Sequence, residues 1–105
     1  MKTHADFPAL LESFFTQRLI AQRRASPHTI VSYRDTFRLL LHFAQERLHK
    51  PPAQLTMEDL NAPFLGTFLN DLENHRANSA RSRNLRLTAI RSFFRYAALE
   101  VPHYA

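Results

Sequence analysis

Arginines are concentrated in one stretch near the end of the chain. Six of the twelve arginines fall between Arg76 and Arg95, and this stretch contains no Asp or Glu. An exposed helix with a structural role usually interleaves acids with bases, because opposite charges three or four positions apart stabilise it. The guanidinium group donates two parallel hydrogen bonds to a phosphate or to guanine. The stretch therefore favours binding of a polyanion, and double-stranded DNA is the polyanion that suits a long basic helix.

A helical wheel gives this stretch two polar faces. The first face comprises Arg81, Ser82, Leu85, Arg86 and Ala89. The second comprises Arg81, Asn84, Thr88, Arg91 and Arg95. Base-reading side chains usually lie near the N-terminal end of a helix that enters a groove. We therefore predict DNA contacts on the first face, from Arg81, Ser82 and Arg86.

The remaining residues of the two faces have a structural interpretation. We expect Arg91 and Arg95 to pack their aliphatic stems against neighbours and to pair their guanidinium groups with acids. The alternative for the first face is a solvated basic surface that pairs with acids elsewhere, such as Asp59 or Glu73.

A second polar cluster stands where another helix is expected to begin. Ser26 followed by Pro27 is typical of an N-cap and the first helical position. The free N–H groups and the helix dipole at such an end attract phosphate. The candidate DNA contacts here are Ser26, His28, Thr29 and Ser32. The alternative is that Ser26 is only a cap and Thr29 only a first-turn residue.

Several other chemistries are excluded or disfavoured. The chain has no Cys, and its one glycine, Gly66, cannot form a phosphate-binding glycine loop. His42, Glu46 and His49 have a metal-like spacing, but a usable site needs further ligands and supporting hydrogen bonds. Glu58 and Asp59 are adjacent and point to different sides of a helix, which disfavours paired acid–base catalysis. We expect neither a metal nor a cofactor.

Prolines divide the chain into helix-length pieces. The predicted helices cover about 8–24, 27–49, 62–75 and 79–99, and Thr56 and Asp59 are expected to cap a short extra turn. The predicted core residues are Leu10, Leu11, Phe14, Phe15 and Ala21; Ile30, Tyr33, Phe37, Leu41, Ala44 and Leu48; Phe64, Leu65, Phe68, Leu69 and Leu72; and Leu87, Ile90, Phe94 and Ala97. No hairpin signal is present. The fold class is all-α, a compact bundle of four main helices plus a short extra turn.

Length and composition agree with one folded unit. The 105 residues are 45% hydrophobic and 22% charged, with a net charge of +5 and a pI of about 10.4. This composition is that of a globular chain, and the length predicts a single domain over 1–105. No stretch is apolar enough to span a membrane, and we see no secretory signal, so the cytoplasm is the expected compartment.

The two polar helices together resemble a known family. Ser26-Pro27-His28-Thr29, followed by Tyr33, resembles the S-P-x-T-x-x-x-Y opening of the core-binding domain of tyrosine recombinases of the phage-integrase type. SRNLRLTAIRSFFRYA (82–97) resembles the last main helix of that domain, roughly Thr-x-x-x-x-Leu-Ser-x-Leu-Arg-x-Phe-Phe. The resemblance covers 10–99. It departs from the family at Arg83, where an aliphatic residue is usual, and at Ser82, where Thr is commoner.

The resemblance implies a specific function. Members are two-domain enzymes that clamp duplex DNA, and the core-binding domain is a SAM-like bundle of four or five helices that grips one side of a recombination half-site. By position, Ser26, His28, Thr29 and Ser32 match one contact helix, and Arg81, Ser82, Leu85 and Arg86 match the other. The expected partners are double-stranded DNA, a catalytic domain C-terminal to residue 105, and other recombinase subunits on DNA.

The resemblance also implies that this chain is not an enzyme by itself. The family's nucleophilic tyrosine and its basic partners belong to the separate catalytic domain. Tyr33 is expected in the core, and Tyr96 and Tyr104 stand outside any comparable constellation. We assign no catalytic residue.

Two other functions remain open from the sequence. One is a free-standing helix-turn-helix regulator, whose turn would come from 75–79. The other is a helical protein-interaction module whose arginine face meets an acidic partner.

Overall fold

The computed structural model describes residues 7–75 and 80–101, and these two ranges contain helices and no strand. The elements are α1 (Phe7–Ser13), a π-helical segment (Phe14–Gln22), α2 (Pro27–Leu48), 3₁₀ turns at Pro52–Gln54 and Glu58–Leu60, α3 (Ala62–His75) and α4 (Ala80–Glu100). The predicted all-α bundle of four main helices is confirmed. Arg76, Tyr104 and Ser79, where the fourth helix was predicted to begin, lie outside the described residues, as does most of the turn over 75–79 that a helix-turn-helix regulator would need.

The predicted caps are present where the sequence placed them. Ser26 is extended, with φ −65° and ψ 156°, and its Oγ accepts a hydrogen bond from the Thr29 backbone N–H over 3.1 Å. Thr56 and Asp59 bond reciprocally: the Thr56 N–H donates to Asp59 Oδ2 over 3.0 Å and the Asp59 N–H to Thr56 Oγ1 over 3.1 Å. Both pairs satisfy backbone N–H groups that a helix start leaves without intrahelical partners.

The first helix departs from the prediction in its internal register. After Ser13 it continues as a π-helix, in which each N–H bonds five residues back. Phe14 and Leu19, five positions apart, are both fully buried. In an α-helix they would lie about 140° apart around the axis. The π register brings both into the core and leaves Ala21 exposed, so the prediction of Ala21 as a core residue is wrong.

An aromatic cluster centred on Phe93 holds α4 to the rest of the bundle. The Phe93 ring meets Phe7 and Phe14 edge-on, each at 5.6 Å between centroids, and lies 5.5 Å from Phe37. Such tilted and edge-on pairs add to the free energy gained by burying the rings. The sequence placed Phe94 in the core, but Phe94 is only half-buried. The buried face of α4 is thus rotated by about one residue from the predicted one, and Ala89 and Phe93 lie on it.

Helix α2 packs on two sides. On one side Phe37 meets α4, and on the other Phe43 lies 5.3 Å from Phe64 and 5.4 Å from Phe68 of α3. Its fully buried residues are Thr36, Phe37, Leu40, Phe43 and Ala44. The other predicted core residues of α2 and α3 are half-buried: Ile30, Tyr33, Leu41, Leu48, Phe64 and Leu65. A prediction based on one hydrophobic stripe misses buried residues of a helix that contacts neighbours on two sides.

Candidate nucleic-acid interface

The N-terminal end of α2 presents four polar side chains. Ser26 and His28 are exposed, and Thr29 and Ser32 are half-buried. Besides accepting the Thr29 N–H, the Ser26 hydroxyl donates to Thr29 Oγ1 over 3.1 Å. Ser26 therefore acts as the N-cap of α2. His28 is exposed to solvent and lies one turn before Ser32.

The face of α4 that the sequence favoured for DNA contacts is partly turned inward. Ala89 is fully buried, Ser82 is half-buried, and the Arg86 side chain is only 18% exposed. Arg86 lies seven residues before Phe93, which places it on the N-terminal continuation of the buried stripe. Of this first face, Arg81 and Leu85 are exposed.

Arg86 reaches α2 and pairs there with an acid. Its Nη1 lies 3.3 Å from Asp35 Oδ2, and the other carboxylate oxygen of Asp35 accepts from Arg38 over 3.2 Å. The Nε of Arg86 is buried and has no hydrogen-bond partner among the described residues. Asp35 stands one turn after Ser32. The pair therefore joins α4 to the face of α2 that carries the predicted contact residues.

Sequence reasoning missed Asp35. The acids proposed as partners were Asp59 and Glu73, and both are engaged by other residues: Asp59 by Lys50 at 2.8 Å and Glu73 by Arg83 at 2.9 Å. The available signal was a lone acid between basic residues on α2. The sequence could not show which side of α4 would face it.

Arg83 stands where the family usually has an aliphatic residue, and it forms an ion pair with an acid of α3. Its Nη1 donates to Glu73 Oε1 over 2.9 Å and to Asn70 Oδ1 over 3.2 Å, both on α3. The pair links α3 to α4 while the Arg83 side chain stays about one-third exposed, at 32%. The polar pair replaces an aliphatic contact between these two helices.

The second face of α4 is the solvent-exposed one. Its members are Arg81, Asn84, Thr88, Arg91 and Arg95, and all five are exposed. Within 7–75 and 80–101, none of its three arginines forms an ion pair with a carboxylate. The expectation that Arg91 and Arg95 pair with acids is therefore wrong for this part of the chain. These arginines leave a positive stripe along the outside of the helix.

The remaining candidates have structural roles or none. Tyr33 stacks on Phe14 with 6.3 Å between ring centroids and packs against the core. Tyr96 is buried, and burial, assisted by the charge of Glu100, raises the pKa of its hydroxyl. His42 lies 4.0 Å from Glu46. Across the described ranges no group of three or more His, Cys, Asp and Glu side chains could hold a metal ion.

Comparison with known proteins identifies the family. Residues 12–100 match the family model described as "Phage integrase, N-terminal SAM-like domain". This chain belongs to the phage-integrase SAM-like family. Its α2 and α4 carry the two motifs that resembled that family. No solved structure gives a significant match to this SAM-like domain.

Three relatives resemble the SAM-like domain in sequence. Two are Sinorhizobium fredii proteins that carry the names integrase/recombinase y4rC and y4rD. The first is 63% identical over 100% of this chain and 32% of its own length, the second 47% over 97% and 36%. The third is tyrosine recombinase XerC of Rhodospirillum centenum, 37% identical over 72% of this chain and 22% of its own length. The SAM-like domain thus spans about a third of the length of the first two.

One further property concerns membranes. No helix among residues 7–75 and 80–101 combines the length and the apolar character that crossing a bilayer requires.

Proposed function

We propose that this SAM-like domain is the core-binding domain of a site-specific tyrosine recombinase, and that it grips one side of a recombination half-site on double-stranded DNA in the cytoplasm. Cleavage and strand exchange belong to a catalytic domain C-terminal to residue 105 in the whole protein, and other recombinase subunits join it on DNA. The chain described here binds DNA and carries no catalytic residue.

The observation that carries this proposal is the exposed, unneutralised arginine stripe on α4. A protein with nine acidic residues places Glu73 and Asp35 against Arg83 and Arg86, and leaves Arg81, Arg91 and Arg95 without a carboxylate within the described ranges. Like charges on one helix face repel each other, so the stripe is more stable when an anion lies against it. Most protein–DNA contacts go to phosphates, and such a stripe suits them.

The predicted contact residues differ in exposure, and each is proposed to make a different contact with DNA. Arg81 binds phosphate or a guanine edge near the start of α4, and the exposed Leu85 lies next to it for an apolar contact such as a thymine methyl group. Ser82 follows Arg81 in the chain and is the third proposed contact residue at the N-terminal end of α4. At the start of α2, Ser26, His28, Thr29 and Ser32 present hydroxyl and imidazole groups near the positive end of the helix dipole, although the Thr29 N–H and the Ser26 hydroxyl already bond within the cap. Arg86 contacts DNA only by exchanging the Asp35 carboxylate for a phosphate.

The test measures the affinity of the 105-residue chain for a fluorescein-labelled 30-base-pair duplex by anisotropy, over a series of KCl concentrations. Each phosphate contact contributes about 0.9 to the slope of log K against log salt. Arg81→Gln is expected to make the slope shallower by about 0.9. The matched control is Arg47→Gln, since Arg47 is exposed and lies 4.8 Å over the Phe43 ring near the far end of α2.

Two results would contradict the proposal. The wild-type chain could show no salt-dependent affinity for duplex DNA, which would favour an acidic protein partner instead. Alternatively, Arg81→Gln and Arg47→Gln could give equal slopes with both variants folded by circular dichroism, which would remove the α4 stripe from the interface.

A further inference from the structure

A second group of arginines lies in a groove outside the predicted contact set. The groove has a volume of about 280 Å³ and forms where the π-helical segment packs against the C-terminal half of α4. Its lining residues are Arg18, Arg23, Ser92, Arg95, Tyr96 and Leu99. Arg18 lies in the π-helical segment, Arg23 directly follows it and Arg95 lies on α4, so three positive charges line one small groove.

The π register brings two of these arginines together. Arg18 and Arg23 are five positions apart, which in an α-helix separates side chains by about 140° around the axis. Here the Arg23 backbone N–H bonds to the Arg18 carbonyl over 2.8 Å, one π-helical turn back. Arg23 therefore lies about one π-helical turn beyond Arg18, and both side chains contact α4. The register that buries Phe14 and Leu19 also aligns this pair.

Contacts with α4 hold the two guanidinium groups in place. The Arg18 guanidinium carbon lies 5.3 Å from the centroid of the buried Tyr96 ring, within cation–π range. Arg23 Nη1 donates to Ser92 Oγ over 3.4 Å. These contacts restrict the side chains before any ligand arrives, which lowers the entropy lost on binding. Only Nη1 of Arg23 donates a hydrogen bond in these contacts, so most N–H donors of the two guanidinium groups remain for a ligand.

The charge of the groove is not balanced by acids. Within 7–75 and 80–101, neither Arg18, Arg23 nor Arg95 forms an ion pair with a carboxylate. No acid lines the groove among the described residues, although the charge of Glu100 acts on the Tyr96 hydroxyl. By contrast, Arg83 and Arg86 are each paired with an acid. Three guanidinium groups that line one small groove suit a tetrahedral oxyanion.

We propose that Arg18, Arg23 and Arg95 form a binding site for a phosphate group, and that this group is a backbone phosphate of the bound DNA. The proposal rests on the proposed function. Arg95 belongs to the same exposed face of α4 as Arg81 and lies 14 residues further along, or about 21 Å. That length corresponds to about six phosphate spacings of one strand. The site therefore extends the DNA footprint well beyond the N-terminal ends of α2 and α4.

The test compares Arg95→Gln and Arg23→Gln with the Arg47→Gln control in the same anisotropy experiment on the 105-residue chain. Loss of one phosphate contact is expected to reduce the salt slope by about 0.9. The ratio of wild-type affinity to variant affinity should therefore be about 8-fold larger at 0.1 M KCl than at 1 M KCl. Arg47→Gln is expected to leave the slope unchanged. Circular dichroism confirms that all three variants are folded.

A second measurement separates the sources of the phosphate group. Inorganic phosphate is titrated into the wild-type chain while the arginine Nε–H resonances are followed by nuclear magnetic resonance. Shifts at Arg18, Arg23 and Arg95 that Arg95→Gln abolishes support the site.

Three outcomes decide between the two proposals. If Arg81→Gln flattens the salt slope while Arg95→Gln and Arg23→Gln match Arg47→Gln, the inference is overturned and the proposed function stands. If inorganic phosphate shifts these resonances but DNA affinity is unchanged in Arg95→Gln, the site binds a free phosphate compound and its assignment to DNA is overturned. If the wild-type chain binds no DNA, the proposed function fails, and phosphate shifts at these arginines would then support the site alone.

Discussion

Asp35 and Arg86 lie 51 positions apart in the chain, yet Arg86 Nη1 donates a hydrogen bond to Asp35 Oδ2 over 3.3 Å. The bond is partly buried and joins α2 to α4, as does the core contact between Phe37 and Phe93. Together the two contacts set the rotation of α4 about its axis. That rotation decides which of the two polar faces of α4 meets solvent.

Replacing Asp35 should have opposite effects on stability and on DNA binding. Asp35→Asn removes the charge that pairs with the mostly buried Arg86, which should lower the free energy of unfolding by about 1 kcal/mol. The same change releases Arg86 and raises the net charge by one, so duplex affinity at low salt should rise. Urea unfolding and anisotropy measure the two effects. The control is Glu46→Gln, an equal charge change on α2; identical behaviour of both variants would contradict the pairing role.

Arg83 should matter little for DNA binding. Its guanidinium group is engaged by Glu73 and Asn70, so Arg83→Leu removes a partly exposed pair and adds an apolar contact. We expect a change of less than about 1 kcal/mol in the free energy of unfolding. The salt slope should change by much less than in Arg81→Gln. An equal loss of slope in both variants would show that Arg83 contacts the phosphate backbone.

Phe93 and Phe94 should differ sharply despite being neighbours. Phe93 is fully buried against the rings of Phe7, Phe14 and Phe37, and Phe94 is half-buried. Phe93→Ala should lower the free energy of unfolding by about 3–5 kcal/mol, a large part of the 5–15 kcal/mol that is typical of a small domain. Phe93→Leu keeps more volume and should remain measurable by urea unfolding. It should lose clearly more stability than Phe94→Leu; equal losses would place the core stripe where the sequence alone put it.

Asp59 should give the chain an acid-sensitive stability. Burial by itself would raise the pKa of Asp59, but hydrogen bonds from Lys50 and from Thr56 outweigh it and lower the pKa below its ordinary 3.8. A carboxylate with a lowered pKa in the folded state stabilises the fold above its unfolded pKa. This contribution should be fully present well above pH 3.8 and should disappear as the pH falls through the lower folded value.

The check is urea unfolding of the wild-type chain and of Asp59→Asn between pH 3 and pH 7. The difference in stability should be largest at the neutral end and should shrink toward the acid end. Glu58→Gln is the neighbouring control, because Glu58 is exposed. A difference between wild type and Asp59→Asn that is independent of pH would contradict the assignment.

Local features of this chain could be predicted from the sequence. The helix limits, the Ser26 cap and the reciprocal Thr56–Asp59 pair follow from proline positions, hydroxyl caps and hydrophobic spacing, which act over a few residues. The family could also be recognised, because its motifs lie within single helices. Arg83 was singled out as a departure from the family pattern, and the structure shows that it pairs with Glu73.

Only the tertiary structure decided how these helices are turned against each other. The π register of Phe14–Gln22 cannot be seen in a pattern analysed at 3.6 residues per turn, so the alignment of Arg18 with Arg23 was missed. The rotation of α4 that buries Arg86 depends on Phe93 filling the space between Phe7, Phe14 and Phe37. Side-chain periodicity leaves a helix face uncertain by about one residue, and close packing against distant parts of the chain removes that uncertainty.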